Sequence, residues 1–235
     1  MLKVALITGT GKGIGKAIAE LLLDKGYFVF GYSRSNSIEH PHFKFTKIDL
    51  SNLEEIQEIQ FPTIDSENLL LINNAATIGD IIPLNLKNEI AIIKEYSLNI
   101  ISPTILCGKF INTYSDKQKM IINISSGAAN NAIASWNTYC ASKSALDMLT
   151  KVISEENHKK LSVFSIHPGV VDTDMQQEIR KSDAKHFPLL SKFTDYHNNN
   201  ELENTSTVAK KLYYIIQNFS DFTKKTLSIR DINLK

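Results

Sequence analysis

A single α/β domain with a doubly wound parallel sheet is predicted by three features of this sequence. Short apolar runs alternate with segments of helical period, the first connection between them is rich in glycine, and no repeat or low-complexity linker interrupts the alternation. A length of 235 residues admits one large domain or two small ones. The unbroken alternation favours one domain over 1–235.

Six strands are expected: "KVALIT" (3–8), "YFVFGYS" (27–33), "FKFTKID" (43–49), "LLLIN" (69–73), "MIINIS" (120–125) and "LSVFSI" (161–166). Each is nearly continuous in apolar residues, as strands covered on both faces should be. Between the first two, "GIGKAIAELLLDKG" sets Ile14, Ala17, Ile18, Leu21 and Leu22 at helical spacing and stops at Gly26. Further helices are expected near 52–60, 87–114, 137–157 and 206–218. Pro103 falls inside the long 87–114 segment and should kink or divide it. The polar stretch 174–205, with one proline and three consecutive asparagines, breaks the rhythm. It is expected to be a long surface loop acting as a lid over the substrate.

Composition narrows the classes. Hydrophobic residues make up 43% and charged residues 22%, which suits a globular protein with ample core. Lys plus Arg number 26 against 25 Asp plus Glu, and a net charge of +1 argues against a nucleic-acid partner. Cys107 and Cys140 are too few for a disulfide framework and lack metal-site spacing. The first apolar run is too short for a secretory core and no membrane-spanning run is apparent, so a cytoplasmic protein without a membrane partner is expected.

The turn "TGTGKGIG" (8–15) follows a strand and opens a helix. Gly9 permits the tight turn, Gly13 lets backbone approach a pyrophosphate, and Gly15 allows close helix–strand packing, with Ile14 between them. The helix N-terminus then offers free N–H groups to that pyrophosphate. At the end of the second strand, "GYSRS" supplies Ser33 and Arg34 and no acidic group. A carboxylate there would select NAD through the ribose hydroxyls, whereas Arg34, with Lys12 in the glycine turn, suits a 2′-phosphate, so NADP(H) is expected.

In "WNTYCASK", Tyr139 and Lys143 stand at i and i+4 on one helix face. An ammonium about 4 Å away, at an effective dielectric of about 20, favours the phenolate by roughly 4 kcal/mol, or about three pKa units. That would bring Tyr139 near 7, where a general acid works best. Lys143 would also donate to the nicotinamide ribose. Ser126, at the end of a strand, would hold the substrate carbonyl oxygen beside Tyr139. Cys140 reads as a packing residue and His167 as structural.

The turn at 8–15, "NNAA" (73–76), Asn99, "ISS" (124–126), the Tyr139–Lys143 pair and "HPGVVDTDM" (167–175) fall in an order and spacing that resembles the short-chain dehydrogenases/reductases. "NISSGAA", "WNTYCASK" and "PGVVDTDMQQ" resemble more narrowly the branch holding sepiapterin reductases and bacterial benzil reductases. The resemblance implies a Rossmann fold and a catalytic tetrad of Asn99, Ser126, Tyr139 and Lys143, with Asn99 holding a water that links Lys143 to solvent. It implies that Asp49 and Leu50 contact the adenine and that Asn74 and Ala75 lie along the cofactor. Pro168, Gly169, Val171 and Thr173 would hold the nicotinamide end, and Trp136 and Met175 would form pocket wall. Ala76 stands where the family usually has glycine, the short 50–68 segment implies a trimmed peripheral helix, and Asp231 is out of register with the aspartate that fixes the pterin.

The activity implied is NADPH-dependent reduction of a small ketone or 1,2-dicarbonyl. A 3-oxoacyl-[acyl-carrier-protein] reductase, with Arg180, Lys181 and Lys185 meeting the acidic carrier, is a second reading, and a non-catalytic NADP(H)-binding sensor a third. The helices at 87–114 and 137–157 resemble those that pair subunits in the family, which implies a homodimer or homotetramer.

Overall fold

The computed structural model describes residues 2–64, 66 and 68–234. Its elements run β1 (Lys3–Thr8), α1 (Gly13–Asp24), β2 (Tyr27–Ser33), β3 (Phe43–Lys47), α2 (Leu53–Glu58), β4 (Asn68–Asn73), α3 (Glu89–Tyr96), α4 (Ser102–Thr113), β5 (Gln118–Ile124), α5 (Asn137–Glu155), β6 (Leu161–His167), α6 (Asp174–Arg180), α7 (Leu190–Asn198), α8 (Thr205–Gln217) and β7 (Thr226–Ser228). The sheet order is β3-β2-β1-β4-β5-β6-β7, and every pairing is parallel. The order reverses between β1 and β4. Crevices for ligands open at such a point, beyond the C-terminal strand ends.

Alternate residues of the central strands feed two cores. Ala5, Ile7, Leu70 and Ile72 join α1 (Ile18, Leu22) and α8 (Val208, Leu212) on one face. Val4, Leu6, Leu69 and Leu71 join α2 (Ile56), α4 (Leu106, Phe110) and α5 (Ile153) on the other. This two-sided burial is why the strands read as unbroken apolar runs.

Three expectations need correction. The 174–205 stretch is not a structureless loop but carries α6 and α7, whose apolar residues Ile179 and Phe193 are buried. As expected, the 87–114 segment is interrupted near Pro103: a π-helical turn over Ser97–Ile101 separates α3 from α4, and the proline takes a first-turn position of α4. The helix Glu89–Thr113 is, by length and composition, apolar enough to cross a membrane, so the sequence does hold such a run; here it packs against the second core. Finally, β7 was not expected. It is three residues long, below the length at which a pattern shows. The trimmed peripheral helix is present as the six-residue α2.

Candidate active site

Two cavities meet at Tyr139. The first, about 240 Å³, is a channel lined by Gly9, Lys12, Gly13, Ile14, Ser33, Arg34, Asp49, Leu50, Asn74 and Ala75, and it reaches Lys143, Pro168, Thr173 and Met175. The second, about 540 Å³, is lined by Ser126, Trp136, Gly169, Val171 and Gln176, and it shares Tyr139, Pro168, Thr173 and Met175 with the first. The sequence-expected cofactor residues therefore fall on one continuous channel, apart from Gly15, which lies beneath the turn, and Gly169 and Val171, which face the second cavity.

The channel is shaped by backbone. Gly13 has φ +58°, a conformation that side-chain-bearing residues seldom adopt. A Cβ on Gly15 would lie 2.2 Å from the Gly9 carbonyl oxygen and 2.3 Å from Asn74 Nδ2, so only glycine fits between α1 and the strand ends. The Thr8 hydroxyl accepts the backbone N–H groups of Asn74 and Ala75 at 2.9 and 3.0 Å and so ties β1 to the end of β4. The N-terminus of α1 has no side-chain cap and no acid in its first turn, which leaves its amides to an anion. These features fit a dinucleotide.

At the far end of the channel Arg34 is exposed. Burial raises the Asp49 carboxyl, but hydrogen bonds from Ser51 and the charge of Arg34 outweigh it and hold the group below its ordinary range. Lys12 is not aimed at Arg34. Its ammonium pairs with Asp174 at 2.7 Å, joining the glycine turn to the start of α6.

The four tetrad candidates come together. Tyr139 and Lys143 are both buried on α5. Ser126 caps the turn after β5, accepting from Ala128 N, and its hydroxyl lies near enough to the Tyr139 phenol to lower that group's pKa. Ser125 instead donates to the Lys143 carbonyl at 3.3 Å, which leaves Ser126 as the serine on the phenol. Asn99 sits in the π-helical turn, where its side chain accepts from Thr77 N at 2.9 Å and donates to Thr77 O at 2.9 Å and Ser142 Oγ at 3.3 Å. Pro103, four residues on, has no N–H for the Asn99 carbonyl. Between Asn99 and Lys143 lies a cavity of about 10 Å³, lined also by Asn73 and Ser102. Asn73 Oδ1 and Ser102 Oγ have no hydrogen-bond partner among the described residues.

The electrostatics correct the expectation of a tyrosine near 7. Burial pushes the Tyr139 phenol up to about 12, and the nearby Ser126 hydroxyl only partly offsets it. Lys143 Nζ is 5.7 Å from the centre of the Tyr139 ring and donates to the Ile124 carbonyl at 2.8 Å, so it makes no direct bond to the phenol. Burial also lowers Lys143 to about 8, opposed by the charge of Asp147. In a wet medium the charge of Lys143 would dominate; here both groups lose solvation, which favours their neutral forms.

Residues missed in the sequence surround these. Asp147, one turn beyond Lys143, is held by Ser165 and by His167 Nε2 at 2.8 Å, which gives His167 the structural place expected of it. Lys87 and Glu95 form a buried pair at 2.6 Å, and Thr138, next to Tyr139, donates to the same carboxylate. Neither cluster has a sequence signature, because its members lie far apart in the chain.

A family model for short chain dehydrogenase matches residues 3–184. The chain belongs to that family. It is similar to benzil reductase ((S)-benzoin forming) of Bacillus subtilis (strain 168), 35% identical over 92% of this chain and 94% of the relative. It is 32% identical to sepiapterin reductase of Mus musculus, over 91% of each chain. A short chain dehydrogenase/reductase of Saccharomyces cerevisiae superposes with a TM-score of 0.85 at 26% identity, covering 97% and 96% of the two chains. A 4-hydroxyisoleucine dehydrogenase complexed with NADH superposes with a TM-score of 0.80 at 28% identity over 95% of each. The short-chain dehydrogenase/reductase chain described here is therefore an oxidoreductase of a family that binds nicotinamide cofactors. The resemblance to the benzil and sepiapterin reductase branch holds.

Proposed function

We propose that the enzyme reduces the carbonyl of a small ketone or 1,2-dicarbonyl with NADPH. The observation that carries this reading is the position of Tyr139, whose buried phenol lines both the channel and the second cavity and shares the second with Ser126. A carbonyl oxygen beside Ser126 would accept from both hydroxyls. With its pKa up at about 12, Tyr139 keeps its proton at working pH and can give it to that oxygen as negative charge develops there. The cofactor, when bound, supplies the hydride. Lys143 would donate to its ribose, and Asn74, Ala75, Pro168 and Thr173 would line its length. Arg34, without an acidic neighbour on the second strand, favours the 2′-phosphate. The cavity at Asn99 has room for about one water, which would carry protons from Lys143 toward solvent. The segment 174–205, through α6 and α7, walls the second cavity and would act as the lid.

The benzil reductase likeness supports a dicarbonyl substrate. The exposed apolar side chains Ile90 and Ile93 on α3 and Met148 and Val152 on α5 support a homodimer or homotetramer. The reading is tested with Tyr139→Phe and NADPH: turnover of benzil should fall by about 10² or more with NADPH affinity kept, because only the proton donor is lost. Near-normal turnover would defeat it.

A further inference from the structure

The second cavity has a wall and a charge that a neutral diketone does not require. Trp136 stacks on Phe187 with ring centroids 5.6 Å apart and planes within 12°. Phe193 approaches the same indole at 5.2 Å, and Tyr196 meets Phe193 edge-on at 5.9 Å. The resulting wall suits an aromatic or branched apolar body. The described residues that line the cavity include Lys192 and Arg230 and no aspartate or glutamate. Lys192 comes from α7 and lies over the Tyr196 ring at 5.9 Å. Arg230 follows β7 and extends along the loop after β6, where a Cβ on Gly169 would lie 3.4 Å from its Nε. Among the described residues the Arg230 side chain has no hydrogen bond and no ion pair. His167, also in the lining, is already engaged by Asp147.

A guanidinium at the rim of an apolar cavity whose lining, among the described residues, has no carboxylate directs a positive potential into it. It also presents a fork of N–H groups that matches a carboxylate. We propose that the natural substrate is an oxo acid: its ketone carbonyl at Ser126 and Tyr139, its apolar body against Trp136 and Phe193, and its carboxylate at Arg230, with Lys192 adding charge. This rests on the reductase reading above. The carbonyl carbon gains a hydride from the reduced nicotinamide, which is oxidised. The carbonyl oxygen takes the Tyr139 proton, giving a hydroxy acid. Arg230 takes no part in the bond changes; it is a specificity-determining residue.

The test uses benzoylformate and 4-oxo-4-phenylbutanoate, each against its methyl ester, with benzil as the neutral control and NADPH oxidation as the readout. The expected result is a kcat/KM for at least one acid about tenfold or more above that of its ester at low salt, with the gap shrinking as ionic strength rises. Arg230→Glu should lower the acid-over-ester ratio by about tenfold or more, and Lys192→Glu should lower it in the same direction. Reduction of benzil with no preference for either acid, or ratios unmoved by both substitutions, would overturn the anion assignment alone. No turnover of any of these carbonyls would overturn the reductase reading and the oxo-acid proposal with it.

Discussion

His167 Nε2 stands 2.8 Å from Asp147 Oδ2, and that carboxylate lies one helical turn beyond Lys143. Its charge opposes the burial that depresses the lysine. Asp147→Asn keeps the shape and an acceptor for His167 but removes the charge. It should lower Lys143 further below about 8 and shift the alkaline limb of kcat/KM for reduction down by about half a unit to one unit. A limb that stays in place would leave Asp147 with a packing role alone.

The wild-type profile has a defined sign. Tyr139 stays protonated up to about 12, so the proton donor is present throughout the working range, while Lys143 loses its charge as pH rises through about 8. Reductive kcat/KM should be level below about pH 7 and fall above pH 8, where the ammonium that supports the cofactor and the developing charge is lost. A profile level to pH 10 would contradict this.

Folding stability carries the same group with its own sign. Between about 8 and 10.5 the unfolded chain holds the Lys143 proton and the folded chain does not, so this residue's contribution to stability rises with pH across that window. Lys143→Met should therefore be more resistant to urea than wild type at pH 7, with the advantage shrinking by pH 10. A difference independent of pH would show that the lysine titrates normally in the fold.

Cofactor choice should follow Arg34. Arg34→Asp places a carboxylate against a 2′-phosphate and opposite a ribose hydroxyl, so it should raise KM for NADPH by about tenfold or more and raise that for NADH much less. Steady-state kinetics with both cofactors decides it, and equal effects would remove the case for NADP(H).

Subunit association should depend on α3 and α5. Ile93, 61% exposed, and Val152, 46% exposed, are large apolar side chains at the surface. The chain should sediment as a dimer or tetramer at micromolar concentration, and Ile93→Glu with Val152→Glu should shift it toward the monomer. A monomeric wild type would refute the oligomer.

Local patterns carried most of the fold and the tetrad. Five of the longer strands announce themselves because both faces of the sheet are covered there, edge strand β3 by the alternation of Phe43 and Phe45 with polar residues, and α1 because its glycines and apolar stripe are contiguous. Tyr139 and Lys143 are legible because an i, i+4 pair is local. The pieces that were not legible depend on distance or brevity. Residues Thr226–Ser228 gain strand character only by pairing with β6, and Arg230 reaches the cavity only because that pairing carries the C-terminal end there. The polar 174–205 stretch hides helices because its apolar residues are few, and Ile179 and Phe193 find burial only in the assembled domain. The raised pKa of Tyr139 is hidden for a related reason: the spacing gives the neighbour's charge but not the depth of burial.

The Thr8 hydroxyl that takes two main-chain amides has a consequence for what position 8 can tolerate. Valine has nearly the same outline and an equal liking for extended chain, yet it would strand both donors of Asn74 and Ala75 at the floor of the cofactor crevice. Shape and hydrophobicity alone do not satisfy this site; one oxygen atom keeps the two strand tips in step while a long, charged ligand enters and leaves above them.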